Sequence, residues 1–177
     1  WSRTGLYGFT QSHNKEYLVM GIRGGTNGVG KIISTPVGHV AYTTKIKYKD
    51  QISDAAILES EEEIGVGKGE ITELSLVGSF LQVKSKKYDS TPGNIFFYIS
   101  RLSVPAEEVV ERHTEAMRKY IEWKNEYSGD KVQKEIYARR KMHEQVQLDH
   151  RFAADAWECD SLFLLPNDPT EIMKRIV

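Results

Sequence analysis

Apolar residues alternate with polar ones, or run together, in several short segments that predict β-strands. The first two segments, 5–9 and 16–22, are separated by the polar QSHNK and predict a β-hairpin. The glycine-rich RGGTNGVG that follows predicts a loop. Three further strand-like segments lie at 73–85, 94–102 and 161–166.

The segment SDAAILESEEEIGV has the start and stop signals of a helix. Ser53 is the predicted N-cap, with Ile52 and Ile57 at the positions of a hydrophobic staple. Ile64 would face the core, and Gly65 is the expected terminator. Strands before and after this helix predict an α/β domain with a mixed sheet.

A long charged segment between the later strands, 104–147, has the composition of helices. The SGD at 128–130 interrupts it, and Asp130 with Gln133 forms a potential capping box for a second helix. The pattern predicts an inserted helical hairpin, which could act as a lid, as the arm of a homodimer or as a surface for a protein partner. At the end of the chain, 168–177 begins like a capped helix.

The composition of the chain is that of an ordinary globular protein. The chain has 177 residues, of which 40% are hydrophobic and 28% charged, which predicts one globular domain over 1–177. A net charge of −1 gives no indication of a nucleic-acid or membrane surface, and no apolar run approaches the length of a membrane span. The single cysteine, Cys159, excludes an internal disulfide and fits a reducing compartment, so we expect a cytoplasmic protein.

Four glutamates stand within five positions of the predicted helix. Glu59, Glu62 and Glu63 are three and four residues apart and are expected on one side, whereas Glu61 points elsewhere. Like charges at this spacing repel each other, so the cluster is either a solvated surface or a site that uses its charge. Carboxylates on one helical face suit Mg²⁺ or Mn²⁺, which prefer oxygen ligands.

The glutamate-bearing segment resembles the Nudix hydrolase signature, G-x5-E-x7-R-E-U-x-E-E-x-G-U, in which U is a bulky aliphatic residue. The residues that match its glycines, glutamates and closing aliphatic position are Gly38, Glu59, Glu62, Glu63, Gly65 and Val66. Leu58 replaces the motif arginine and Ser60 replaces an aliphatic residue. Eleven residues separate Gly38 from Asp50, where the signature has five before its first glutamate. This expanded loop, together with GIRGG and PVGH ahead of it, is similar to a divergent branch of the family that includes UDP-sugar diphosphatases.

The resemblance implies a Nudix-type α/β/α sandwich around a mixed sheet, with 104–147 inserted into it. It also implies a divalent metal, Mg²⁺ or Mn²⁺, bound by Glu59, Glu62 and Glu63. The implied reaction is attack of water on a phosphorus of a nucleoside diphosphate linked to another moiety. Glu59 and Glu62 would be catalytic, together with Glu158, because many Nudix enzymes have a further acidic residue in that region.

Three residues near the predicted loop are candidates for binding the substrate. Arg23 ends the second strand, where a guanidinium could hold a diphosphate through two hydrogen bonds, or could be an ordinary surface cation. Gly38 is a second candidate, and the glycine-rich approach near it would let the backbone come close to phosphate groups. His39 could contact substrate or serve only to end its strand.

The region before the last strand offers alternatives to the role assigned to Glu158. Asp155 and Glu144 are acidic residues that compete for it, and an exposed loop position would equally explain Glu158. Trp157 or Tyr88 could stack on a base, although packing in the core is the commoner role of an aromatic residue.

The resulting hypotheses belong to different functional classes. The three glutamates favour a metal-dependent diphosphohydrolase. The replaced arginine, the replaced aliphatic residue and the long loop favour a Nudix-fold domain that binds a nucleotide or partner without hydrolysis. The charged segment 104–147 favours a protein-interaction domain.

Overall fold

The computed structural model describes residues 2–23, 32–34, 36–40, 48–82, 93–168 and 170. These residues form seven strands and three α-helices. In chain order they are β1 (Ser2–Ser12), β2 (Lys15–Arg23), β3 (Ile32–Ser34), β4 (Val37–His39), α1 (Tyr48–Ile64), β5 (Ile71–Gln82), β6 (Gly93–Leu102), α2 (Ala106–Glu126), α3 (Lys131–Val146) and β7 (Cys159–Pro166). Short 3₁₀ turns stand at Lys68–Glu70 and Ala156–Glu158.

The strands form one mixed sheet with β1 at its centre. The order is β3-β2-β1-β6-β5, with β4 also paired to β1 and β7 to β2. The β1–β6 pair is parallel, whereas β1 runs antiparallel to β2 and β4. The predicted α/β architecture around a mixed sheet is therefore confirmed.

The first hairpin is confirmed and is longer than predicted. Its two turn residues, His13 and Asn14, have φ angles of 48° and 62°. Asparagine tolerates this left-handed conformation, and two such residues match the twist of the flanking strands. The turn fixes the register that pairs Ser12 with Lys15.

The predicted start of the glutamate-bearing helix at Ser53 is wrong. Helix α1 begins at Tyr48, and Ser53 lies inside it, where its hydroxyl donates to the Asp50 carbonyl oxygen at 3.0 Å. The extra turn is helical because it buries side chains: Gln51 is only 8% exposed and Ile52 only 3%. The predicted end is confirmed, since Gly65 adopts φ 70°, a conformation that favours glycine.

Two apolar clusters attach the helices to the sheet. One joins α1 to the central strands through Leu6, Val40, Ile52, Ala56 and Tyr98. The other joins the end of α1 and the start of α2 to β2 and β6 through Val19, Ile64, Val66, Leu102, Val104 and Val109. Burial of these side chains holds one face of α1 against the sheet, which leaves its other face for polar groups.

The predicted helical insertion is confirmed as α2 and α3, which lie between β6 and β7. Asp130 and Gln133 form the predicted capping box at the start of α3. The hairpin has its own apolar cluster, which includes Ala116, Tyr120, Ala138, Met142 and Phe152. In the part of the chain that is described, no helix is long and apolar enough to cross a membrane.

Two of the sequence predictions fall on other parts of the chain. The glycine-rich loop at 24–31 lies outside the described residues. Most of the predicted terminal helix, 168–177, also lies outside them. At its start, the Asp168 carboxylate accepts a hydrogen bond from the Thr170 backbone N–H at 2.8 Å, which is the contact that a helix cap makes.

Candidate active site

A pocket of about 290 Å³ opens where β4, α1 and the second 3₁₀ turn meet. Its lining contains four carboxylates, two other ionisable side chains and two β4 residues without charge. These are Arg3, Val37, Gly38, His39, Glu59, Glu62, Asp155 and Glu158. The sequence candidates Gly38, His39, Glu59, Glu62 and Glu158 are thus brought together in one pocket.

Helix α1 supplies Glu59 and Glu62, which are three residues apart and therefore on the same side of the helix. Both are partly buried. Gly38 faces Glu59 so closely that a Cβ atom at position 38 would collide with the Glu59 carboxyl group. The glycine is therefore required by space, because the carboxyl group occupies the position that a side chain would fill.

Glu63 does not share this open face. Its side chain is only 3% exposed, and its Oε1 accepts a hydrogen bond from the Val37 backbone N–H at 3.4 Å. The prediction of three carboxylates on one open face is therefore wrong for Glu63. Its side chain lies against β4 through this contact and is not among the groups that line the pocket.

Burial and neighbouring charges act on Glu62. Its pKa is raised above the ordinary value, first by burial and then by the Asp155 carboxylate, while His143 opposes the shift. Asp155 also fixes the position of this residue, because its backbone N–H donates to the Glu62 carbonyl oxygen at 2.7 Å. Glu62 is therefore held at the end of α1 by the segment that follows the helical hairpin.

Arg3 supplies the positive charge in the lining of the pocket, and His39 lies beside it. They are register partners in the β1–β4 pair, and Arg3 Nε–H donates to His39 Nε2 at 3.2 Å. The pKa of His39 is lowered, first by burial and then by Arg3, with Glu158 opposing the shift. Neutral His39 therefore accepts at Nε2, which places its own N–H at Nδ1.

Asp155 is held by residues of the helical hairpin and of the second 3₁₀ turn. Its Oδ1 accepts from Trp157 Nε1–H at 3.0 Å and lies 3.4 Å from His143 Nε2. The Arg139 guanidinium lies 3.5 Å from the centre of the Trp157 ring. One face of that ring is therefore occupied by a cation–π contact, which leaves less of the ring for stacking on a base.

The remaining sequence candidates differ in position. Glu144 does not line the pocket; it is paired with Arg140 and Lys141 on the surface of α3. The backbone of Arg23 pairs with Cys159, the residue next to Glu158, but its side chain lies outside the described part of the structure. Tyr88 also lies outside it.

Arg3 is the pocket residue that sequence reasoning missed. It stands in an ordinary strand position, and no motif distinguishes it. Only the pairing of β1 with β4 brings it beside His39, and that pairing joins residues 36 positions apart. Asp155 did carry a signal, because it is an acidic residue in the short segment before the last strand.

The donor chemistry of the pocket fits a hard divalent cation, because Glu59, Glu62, Asp155 and Glu158 offer carboxylate oxygens. As the side chains stand, no three histidine, cysteine or acidic residues in the described part of the chain are grouped closely enough to hold an ion. A cation would therefore have to draw the carboxylates together.

Comparison with known proteins finds similarity at the level of the fold. No family model matches the chain, and no curated protein matches it. Several solved structures do, and they are Nudix proteins. The likeness is one of fold.

Three of these structures show the extent of the similarity. A C. elegans Ap4A hydrolase in a binary complex is 18% identical with a TM-score of 0.42, over 59% of this chain and 67% of that one. The NUDIX domain of Shewanella oneidensis NrtR, complexed with ADP ribose, is 11% identical with a TM-score of 0.43, over 59% and 62%. A NUDIX hydrolase from Alicyclobacillus acidocaldarius is 11% identical with a TM-score of 0.42, over 64% and 82%.

Proposed function

We propose that the protein is a metal-dependent hydrolase of a nucleoside diphosphate linked to another moiety. The observation that supports this proposal is the pocket itself: Glu59 and Glu62 line it from one helix, opposite Arg3 and His39. Carboxylates suit a divalent cation, and a guanidinium suits phosphate oxygens. A substrate that carries a diphosphate would need both.

The cation would be Mg²⁺ or Mn²⁺, held by Glu59 and Glu62. Glu63 would become a third ligand only after leaving its buried contact with Val37. The bound ion would polarise phosphoryl oxygens and neutralise their charge.

Four further residues of the pocket have separate tasks in this proposal. Arg3 binds phosphate oxygens and orients the diphosphate. Gly38 leaves room for the Glu59 carboxyl group, which lies where a side chain at position 38 would stand. Glu158 accepts the proton of the attacking water, because it is a pocket carboxylate that the cation does not require. Asp155 holds Glu62 in place through its backbone N–H.

A second candidate function is binding of a nucleotide without hydrolysis. Two observations favour it, both at positions where the chain departs from the Nudix signature. Leu58, in place of the motif arginine, is 50% exposed. The Ser60 hydroxyl, in place of an aliphatic residue, is buried with no hydrogen-bond partner in the described structure.

The deciding experiment is a screen of nucleoside diphosphate conjugates with Mg²⁺ and with Mn²⁺, scored by release of products. Glu59→Gln and Glu62→Gln should each lower kcat by roughly 10²-fold or more, as the loss of a single electrostatic contact does in other active sites. Glu126→Gln, an exposed glutamate at the end of α2, is the control and should keep the parental rate.

The outcomes separate the two functions. Cleavage that survives both substitutions in folded protein would place the catalytic site elsewhere. A parent that binds the conjugates but cleaves none of them with either metal would support the binding function.

A further inference from the structure

Arg112 of α2 donates four hydrogen bonds, three of them to groups outside its own helix. Its side chain is 11% exposed. Nη1 donates to the Gly65 carbonyl oxygen at 2.6 Å and to Glu70 Oε2 at 2.8 Å. Nη2 donates to Glu70 Oε1 at 2.7 Å and to Glu108 Oε1 at 2.5 Å. The guanidinium thus holds Glu70 through two parallel hydrogen bonds, a geometry that lysine cannot reproduce.

These contacts lie at the end of the helix that carries the pocket glutamates. Gly65 directly follows Ile64, the last residue of α1, and its positive φ turns the chain out of the helix. Glu70 belongs to the 3₁₀ turn that follows. By holding both groups, Arg112 fixes the last turn of α1 and the direction in which the chain leaves it.

Glu62 is part of that last turn. The Gly65 N–H donates to the Glu61 carbonyl oxygen at 3.1 Å, and the Glu62 carbonyl oxygen accepts from Asp155. Residues of α2 and of the segment after α3 therefore hold the end of α1 at two points.

We propose that Arg112 is a positioning residue for the pocket, which acts on Glu62 by fixing the last turn of α1. The inserted hairpin is then part of the active site, although Arg112 itself does not line the pocket. This inference rests on the proposed function for its effect on turnover. Its effect on the end of α1 is independent of that function and can be measured separately.

The test compares Arg112→Met, Arg112→Lys and Arg118→Met. Arg118 is the matched control: it stands on the same helix and is paired with Glu115 and Glu122, but it is 51% exposed and contacts neither α1 nor Glu70. Two kinds of measurement are made. Steady-state kinetics give kcat and KM for a conjugate that the parent cleaves, and hydrogen exchange is followed at the Gly65 and Val66 amides.

Arg112→Met should lower kcat by roughly 10-fold to 10²-fold, the scale of a displacement of about 1 Å in an active site, with a much smaller change in KM. It should also speed exchange of the two amides. Arg112→Lys should recover part of kcat, because it keeps the charge without the planar fork. Arg118→Met should match the parent in both measurements.

One result would overturn the proposal: folded Arg112→Met with parental kcat and parental amide exchange. If such a variant had only a lower melting temperature, Arg112 would be a purely structural residue. If Arg112→Met does not fold, kcat and amide exchange are measured for Arg112→Lys and Glu70→Gln instead. Glu70→Gln is the milder change, because it leaves the hydrogen bond from Arg112 to the Gly65 carbonyl oxygen in place.

Failure of the proposed function has a different signature. In that case the parent cleaves no conjugate with either metal, and exchange at Gly65 and Val66 decides alone. Faster exchange in Arg112→Met but not in Arg118→Met would support the positioning role, and equal exchange in both would refute it.

Discussion

At the scale of single residues, Gly38 shows how the absence of a side chain positions a charged one. The Glu59 carboxyl group lies where a Cβ atom would stand. We therefore expect Gly38→Ala to displace Glu59 from the pocket and to reduce kcat by roughly 10²-fold, while the fold is kept. Gly69→Ala is the control, because nothing lies within 4 Å of the Cβ atom it would add. Equal rates in the two variants would show that the glycine has no such role.

Some of the single residues in the site could be predicted from the sequence, and others could not. Spacing along one helix is enough to place Glu59 and Glu62 together, and the resemblance supplied Gly38 and Glu158. Helical spacing alone could not show that Glu63 is buried, because its environment depends on the neighbouring β4. Arg3 depends on strand register between distant segments, which local pattern does not contain.

At the scale of elements, the hydrophobic pattern predicted β1, β2, β5, β6, β7 and the helical hairpin because their periodicity is local. It did not predict β3 and β4, which have only three residues each. It failed at the start of α1. Ser53 has the residue type and neighbours of a cap, but Gln51 and Ile52 are buried by contacts with the rest of the fold. Burial of these two side chains against the rest of the fold therefore extends the helix by a turn that the local capping signals do not predict.

His113 is one of the residues that attach α2 to the turn that carries Glu158. This side chain is 2% exposed, and its Nε2 lies 3.2 Å from the Ala156 carbonyl oxygen, to which it can donate. Burial lowers the pKa of His113 below its ordinary value of 6.5. The unfolded chain then binds the proton more tightly than the folded one, so stability is complete above pH 6.5 and is lost as pH falls below that value.

We expect the melting temperature of the parent to decrease between pH 6.5 and 5, with a contribution from His113 of at most about 1.4 kcal/mol per pH unit. His113→Gln should flatten this dependence, because glutamine does not titrate. His150→Gln, at an exposed position, should retain it. Identical pH profiles for the parent and His113→Gln would assign the acid sensitivity to other groups.

At the scale of the whole molecule, β5 is the edge strand on one side of the sheet. β5 pairs with β6, and in the described residues no strand covers its other edge. Its segment LSLVGSFL contains no charge, and its large apolar side chains are more than half exposed at Leu76, Val77, Phe80 and Leu81. Such an edge favours association between molecules.

Leu81→Lys should therefore reduce light scattering at high protein concentration, because a charge on an edge strand opposes pairing with another chain. The melting temperature should change little, since Leu81 is 64% exposed. Val132→Lys adds the same charge at a 66% exposed position on α3 and should leave scattering unchanged. Scattering that falls equally in both variants would reflect net charge alone.

The parallel pairing of β1 with β6 also sets the order in which the chain can assemble during synthesis. The β1–β2 hairpin can close as soon as its turn has been made, but Ser2 must wait for Asn94. At about 5–20 residues per second, that interval lasts several seconds on the ribosome. The free edge of β2 stays unpaired for longer, because its partner β7 is synthesised only after the whole helical hairpin. The nascent hairpin is therefore exposed on both sides while the rest is translated, so slower elongation should lengthen the period in which it can mispair.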